Sequence, residues 1–117
     1  VHFVGDTTTP IVEKGHVVLI ISNTGETMSA VQTANIVRRL GAVVISITGS
    51  AHSKLGIASN IVMELVQPRD EQKKRNAPLG TIFEASSMVM MDSMVPLLMA
   101  KLNQDEASLR RRHAIWV

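Results

Sequence analysis

Several residue types are rare or absent in this 117-residue chain: it has no cysteine and no tyrosine, and aromatic residues make up only 3% of it. Without cysteine, the chain cannot form disulfides, zinc–thiolate sites, iron–sulfur clusters or a thiol nucleophile. This composition fits a reducing compartment, and we expect a cytoplasmic protein. The scarcity of aromatic side chains argues against the base-stacking surfaces on which many proteins bind RNA or single-stranded DNA.

A large charge of one sign is also lacking. Twelve Lys and Arg residues against ten Asp and Glu residues give a formal net charge of +2, which is too small to indicate a nucleic-acid partner. No apolar run that is free of charge reaches about 18 residues, so we expect no transmembrane segment and no membrane partner. His2, His16 and His52 show no metal-ligand spacing, and no metal site is predicted.

What the chain does have is enough apolar material for a core. Apolar residues make up 45% of it, which argues against disorder, and the length predicts one domain, residues 1–117. The first residue is Val1 rather than Met, and residues 1–4 form a short apolar run that we interpret as a strand. Because a domain seldom begins within a strand, we expect that an N-terminal part of the domain is missing and that this run lacks its natural neighbour.

Apolar runs alternate along the chain with segments of helical spacing. Continuous apolar runs are typical of strands buried on both faces of a sheet. The predicted strands lie at residues 17–21, 42–48 and 61–66, and the predicted helices at residues 28–40, 53–58, 81–101 and 106–112. This alternation predicts an α/β fold with a parallel sheet. Ligands bind such sheets beyond the carboxyl ends of the strands.

The loop after the first long strand has the composition of an anion site. In Ser22-Asn23-Thr24-Gly25-Glu26-Thr27, three hydroxyl side chains surround a glycine just before a helix begins. The free N–H groups and the dipole at a helix start favour an anion, hydroxyls add donors, and glycine allows close approach. The loop is therefore a candidate phosphate site. The alternative is an ordinary capped helix, with Thr24 or Ser22 as the cap.

This loop resembles the Ser-x-Ser-Gly-Glu-Thr signature of sugar isomerase (SIS) domains, which bind phosphosugars. Residues 4–10, residues 78–84 (Pro-Leu-Gly-Thr-Ile-Phe-Glu) and the ending Arg112-His113-Ala114 resemble segments of the 6-phospho-3-hexuloisomerase family in the same order. The similarity runs through essentially all of the chain. It departs from the family at Asn23 and Thr24, where glycine and serine are usual.

The resemblance implies a fold, an activity and a set of site residues. The fold would be a flavodoxin-like, three-layer α/β/α SIS domain, without the N-terminal helices and the first strand of the family. The activity would be the interconversion of a 3-hexulose 6-phosphate and fructose 6-phosphate, without a metal or an organic cofactor. The phosphate-binding residues would be Ser22, Asn23, Thr24, Gly25 and Thr27. A non-catalytic phosphosugar-binding module and an arabinose-5-phosphate isomerase are the alternatives.

Glu84 is the candidate general base. It and Asp92 are the only charged residues between Asn76 and Ala100, and we expect these apolar surroundings to desolvate the Glu84 carboxyl, as a base working near neutral pH requires. It would remove the C2 proton of the substrate and give a 2,3-enediol. The alternative is that Glu84 caps its own helix or pairs with a basic residue. Asp92 is interpreted as a structural partner of a buried donor.

The C-terminal third of the chain indicates self-association. Five of the seven methionines fall in the predicted helix at residues 81–101, which is apolar nearly all round, as in helices buried between subunits. We expect a homo-oligomer, a dimer or a tetramer. His113 follows three arginines; it belongs either to a solvated tail or, as the resemblance implies, to the catalytic residues of its own or a neighbouring subunit.

Overall fold

Three parallel strands form the sheet of this protein, in a computed structural model that describes residues 1–67, 75, 77 and 81–113. The strands are β1 (Val17–Ser22), β2 (Val43–Thr48) and β3 (Ile61–Glu64), in the spatial order β1-β2-β3. Each lies within or at one end of a predicted apolar run. The predicted α/β class and parallel sheet are confirmed.

Four helices are described, and they start and end close to the predicted positions. They are α1 (Met28–Arg39), α2 (Lys54–Ala58), α3 (Thr81–Lys101) and α4 (Glu106–Arg112). Gly41 follows α1 with a φ of +77° and donates its N–H to Arg38 O at 3.0 Å. This left-handed conformation favours glycine.

Helices α1 and α2 cover one face of the sheet. Because side chains alternate along a strand, Val18 and Ile20 of β1 point to this face. Its core consists of Ala34, Val37, Ala42, Val44, Leu55 and Ala58, with Val12, Val18, Ile20 and Val31 packed against it. This packing holds the start of α1 and the start of α2 beside each other at the carboxyl ends of β1 and β2.

The opposite face of the sheet is apolar; its β1 side is largely uncovered, whereas Ile47 of β2 is fully buried. Val17, Leu19 and Ile21 of β1 point to this face and remain 40–61% exposed. Strand β1 is also an edge strand among the described residues, so one row of its backbone N–H and C=O groups has no strand partner.

The prediction of a strand at residues 1–4 is wrong. The segment is exposed and enters a turn in which Asp6 N–H is donated to Phe3 O at 3.2 Å. A strand needs a neighbour to pair its backbone groups, and no described strand lies beside this run.

Helix α3 is long, apolar and mostly exposed. Phe83 and Ser87 in its first two turns are buried, whereas Met88, Val89 and Leu97 are at least two-thirds exposed. By length and composition alone this helix could cross a membrane, and 11% of its most apolar window is buried. One such helix is weak support for a membrane span, because the core helix of a soluble protein passes the same test.

The core between the sheet and α2 provides a test of the fold. Leu55 is fully buried, whereas Ile57, two residues later on the same helix, is 71% exposed. We expect Leu55→Ala to lower the free energy of unfolding by about 2–5 kcal/mol, because it leaves a cavity in the core. Ile57→Ala is the matched control, and chemical denaturation measures both. Equal effects of the two substitutions would contradict the described packing of α2.

Candidate functional site

Two loops meet at the carboxyl edge of the sheet. The first loop, residues 22–27, joins β1 to α1, and the second loop, residues 49–53, joins β2 to α2. The last residues of the three strands, Ser22, Thr48 and Glu64, lie in register with one another. This is the edge at which parallel sheets bind ligands.

Short-range hydrogen bonds shape the first loop. Gly25 donates its N–H to Ser22 Oγ and Glu26 donates its N–H to Thr24 Oγ1, both at 3.2 Å. The hydroxyls of Ser22 and Thr27 are 3.3 Å apart. Three of the predicted phosphate-binding side chains are therefore grouped around one turn.

Gly25 is the point at which the two loops touch. It is buried, with a φ of +64°. A Cβ at this position would overlap the side chain of Ser53 and would lie 2.9 Å from Thr48 Oγ1. Both the backbone conformation and the available space therefore require glycine.

Among the described residues, no side chain caps the start of α1. Thr27 occupies the N-cap position without a side-chain hydrogen bond, and the first turn contains no acidic residue. The first N–H groups of a helix have no partner within the helix, and together with the dipole they attract an anion. The alternative of a helix capped by Thr24 or Ser22 is wrong, because these hydroxyls accept from N–H groups of the loop instead.

The start of α2 is capped by the protein itself. Ser53 Oγ accepts the N–H of Gly56 at 3.1 Å, and Gly25 O accepts the N–H of Leu55 at 2.9 Å. The Glu26 carboxylate accepts the N–H of Lys54 at 3.1 Å. Of the two neighbouring helix starts, only that of α2 is capped by side chains of the described residues.

Side chains of the second loop were not among the predicted site residues. Asn23 O accepts the N–H of Gly49 at 2.8 Å, and Thr48 Oγ1 lies 3.5 Å from the same oxygen. Ser53 Oγ donates to Ser50 O at 2.7 Å. The run Thr-Gly-Ser at positions 48–50, directly after a buried strand, is the sequence signal that could have identified this loop.

The predicted catalytic residues do not join the two loops in this structure. Glu84 lies in the first turn of α3 with an exposed side chain, so its predicted desolvation is wrong for this chain. Its prediction as a base stays a prediction. His113 is exposed, caps the end of α4 and donates its N–H to Arg110 O at 3.2 Å. Pro78, Leu79, Gly80 and Ala114 of the two predicted motifs lie outside the described residues.

Asp92 does not have the predicted structural role. It is exposed on α3, and no hydrogen bond or ion pair is found for it in the part of the chain that the structure describes. Glu84 likewise has no such partner among residues 1–67, 75, 77 and 81–113. The alternative in which Glu84 caps its helix or pairs with a basic residue is therefore not observed.

Most of the sequence matches a known protein family. Residues 4–94 match the family model of the SIS domain. The chain belongs to the SIS domain family. The predicted resemblance is confirmed, since the matched region contains both loops and most of α3.

Similar proteins add names and a ligand. An uncharacterized protein of Archaeoglobus fulgidus is 34% identical over an alignment of 119 positions, which covers 98% of this chain and 65% of that protein. A Methanocaldococcus jannaschii protein named 3-hexulose-6-phosphate isomerase is 30% identical over 112 residues, 96% of this chain and 59% of the relative. The solved structure of an E. coli CFT073 protein in complex with arabinose 5-phosphate has a TM-score of 0.74 at 26% identity, over 88% of this chain and 54% of the other. The chain spans 59–65% of the length of these curated relatives.

The Glu26–Lys54 ion pair makes stability depend on pH. Lys54 Nζ lies 2.8 Å from Glu26 Oε2. The side-chain hydrogen bond from Lys54, and then its backbone N–H, lower the pKa of the Glu26 carboxyl below the ordinary value of 4.5. The same side-chain hydrogen bond raises the pKa of Lys54.

We expect the stabilising effect of the Glu26 charge to disappear in acid. Because the folded-state pKa is lowered, this effect is complete above the unfolded value of 4.5 and is lost as the pH falls through the folded value. The difference in unfolding temperature between the wild type and Glu26→Gln should be constant from about pH 7 to pH 5 and shrink toward about pH 3. A difference that grows on acidification would contradict this assignment.

Proposed function

We propose that this protein is a phosphosugar isomerase that interconverts 3-hexulose 6-phosphate and fructose 6-phosphate. The observation that carries the proposal is the uncapped start of α1 beside the hydroxyls of the first loop, in a member of the SIS domain family. The name of the Methanocaldococcus jannaschii relative supports this substrate. Residues 1–117 would form one partial SIS domain of a cytoplasmic enzyme that needs no metal or organic cofactor.

The first loop would bind the phosphate group. The N–H groups at the start of α1 would donate to the phosphate oxygens, and the hydroxyls of Ser22, Thr24 and Thr27 would add donors without adding charge. Gly25 would allow the phosphate to approach the backbone closely. Asn23 would hold the loop in place, since its carbonyl accepts the N–H of Gly49.

The reaction would be a proton transfer between two neighbouring carbons. A base removes the C2 proton of the 3-ketose while the C3 carbonyl oxygen gains a proton, which gives a 2,3-enediol. A proton added at C3, with loss of the hydroxyl proton at C2, then completes the 2-ketose. Glu84 would be the base, and the exposed His113 would take part in proton transfer in its own or a neighbouring subunit. Because Glu84 is exposed, the substrate or a second subunit would have to shield its carboxylate from water during the reaction.

Arabinose 5-phosphate is a second candidate substrate. The similar solved structure that contains this sugar supports binding of a phosphorylated sugar. A non-catalytic phosphosugar-binding module would use the first loop in the same way but would have no need of Glu84. The two enzymes and the module are distinguished by assaying both sugars with the same preparation.

Glu84→Gln tests the assignment of the base. The substitution keeps the shape of the side chain but removes its ability to take a proton, so we expect turnover of 3-hexulose 6-phosphate to fall about 10²- to 10⁴-fold with little change in KM. Exchange of the C2 proton with deuterated solvent should fall in parallel.

Asp92→Asn is the matched control on the same helix and should leave turnover unchanged. Near-normal turnover of Glu84→Gln, with a lowered unfolding temperature, would show that Glu84 is structural. Binding of both phosphosugars without conversion of either by the wild type would instead favour the non-catalytic module.

A second copy of the chain would cover the apolar surfaces that this chain leaves exposed. Exposed apolar side chains are frequent on both surfaces: Val17, Leu19 and Ile21 on β1, and Met88, Val89 and Leu97 on α3. Exposed apolar surface of this extent is typical of interfaces between subunits. We therefore propose that α3 and the β1 side of the uncovered sheet face associate in a homodimer or homotetramer.

Charge placed on α3 tests this association. Leu97 is 69% exposed on α3, and Leu97→Glu should dissociate the oligomer because the interface would have to bury an unpaired carboxylate. Ile57→Glu is the matched control, since Ile57 is equally exposed but lies on α2. Analytical ultracentrifugation should find an oligomer for the wild type and for Ile57→Glu. A monomeric wild type at micromolar concentration would contradict the proposal.

A further inference from the structure

The carboxylate of Glu26 connects two loops that are far apart in sequence. Glu26 Oε1 accepts the backbone N–H of Lys54 at 3.1 Å, across 28 positions of the chain. Glu26 lies between Gly25, where the two loops touch, and Thr27, the N-cap of α1. Whatever fixes Glu26 therefore fixes the direction in which α1 begins.

A second hydrogen bond runs beside the first. Gly25 O accepts the N–H of Leu55 at 2.9 Å, so two consecutive residues of the first loop accept from two consecutive donors at the start of α2. Two adjacent hydrogen bonds fix the distance between the first loop and α2 and also restrict rotation of the loop relative to the helix. The peptide units that precede Thr27 are held in one orientation against α2.

The second loop is itself held firmly from the other side. Ala51 donates its N–H to Glu64 Oε1 at 2.9 Å, and Glu64 ends β3. Gly49 donates its N–H to Asn23 O at 2.8 Å. The group to which Glu26 binds is thus anchored to the sheet, and a binding loop that is already ordered does not have to be ordered by its ligand.

Attraction between the charges of Glu26 and Lys54 is weakened by solvent. The side chains of Lys54 and Glu26 are 70% and 48% exposed, and exposed ion pairs are screened by water and salt. The hydrogen bond from the backbone N–H of Lys54 to Glu26 depends on the length of the Glu26 side chain and on an acceptor oxygen, and a neutral acceptor of the same length could form it. A free carboxylate near an anion site would repel the anion, and Lys54 offsets this charge.

We propose that Glu26 is a positioning residue: by accepting the Lys54 N–H, its side chain holds the first loop against α2 and sets the affinity of the α1 start for phosphate. This inference rests on the proposed function, in which the start of α1 binds the phosphate group. It assigns to Glu26 a role through the loop and no contact with the substrate. The affinity for phosphate should therefore depend on the length of the Glu26 side chain and not on its charge.

Two substitutions separate reach from charge. Glu26→Asp keeps the charge but shortens the side chain by one methylene, whereas Glu26→Gln keeps the length and an acceptor oxygen without the charge. Glu106→Asp is the matched control, because Glu106 forms an exposed ion pair with Arg110 at 2.7 Å on α4, away from both loops. Inorganic phosphate is titrated into each protein at constant ionic strength, and the amide NMR signals of Met28 and Ser29 report its binding.

We expect Glu26→Asp to weaken phosphate binding at least about fivefold, within the usual range of coupling between positions in a protein. Glu26→Gln and Glu106→Asp should remain within about twofold of the wild type, because exposed charge pairs contribute little. The unfolding temperature of each protein is measured alongside. If Glu26→Asp folds poorly, Glu26→Ala replaces it, and loss of affinity in Glu26→Ala with retained affinity in Glu26→Gln supports the acceptor role.

Three results would overturn the inference. Equal affinity of Glu26→Asp and the wild type, or a lower unfolding temperature without a change in affinity, would leave Glu26 a purely structural residue. Equal weakening by Glu26→Asp and Glu26→Gln would show that the charge of Glu26 matters as much as the reach of its side chain. If phosphate leaves the Met28 and Ser29 signals of the wild type unchanged, the proposed phosphate site fails, and the inference fails with it.

Discussion

The contact between Gly25 and the second loop is the constraint on which the candidate site depends. Gly25 is buried against Ser53 and Thr48 in a left-handed conformation, and its carbonyl accepts the N–H of Leu55. Because Gly25 has no Cβ, the two loops can approach until backbone groups of the first loop form hydrogen bonds with the second loop and α2. This approach uses the donors at the start of α2, whereas no side chain among the described residues caps the start of α1.

The fold and the position of the candidate site could be predicted from the sequence because both depend on local patterns. The apolar runs specify the strands, Gly41 ends α1, and the loop after β1 contains its hydroxyls and its glycine within six residues. The expected burial of both faces is wrong for β1, where Val17, Leu19 and Ile21 are exposed. The hydroxyl grouping of Ser22 and Thr27 follows from this spacing. These features need no knowledge of distant residues.

Features that depend on long-range contacts could not be predicted in the same way. The role of Glu26 requires knowing that Lys54 lies opposite, and nothing in the first loop alone indicates it. Glu84 was expected to be desolvated because its sequence neighbours are apolar, yet a helix can expose one side chain among apolar ones when nothing packs on that side. The run at residues 1–4 has the composition of a strand, but a strand forms only beside another strand.

A structure of the protein with fructose 6-phosphate is the most direct test of the central claim, that the first loop and the start of α1 bind the phosphate group. The account predicts phosphate oxygens within about 3 Å of the N–H groups of Met28 and Ser29 and of the Thr27 hydroxyl. Thr27→Val should weaken binding of the phosphorylated sugar and leave that of fructose unchanged. A sugar phosphate bound elsewhere, with this turn empty, would contradict the account.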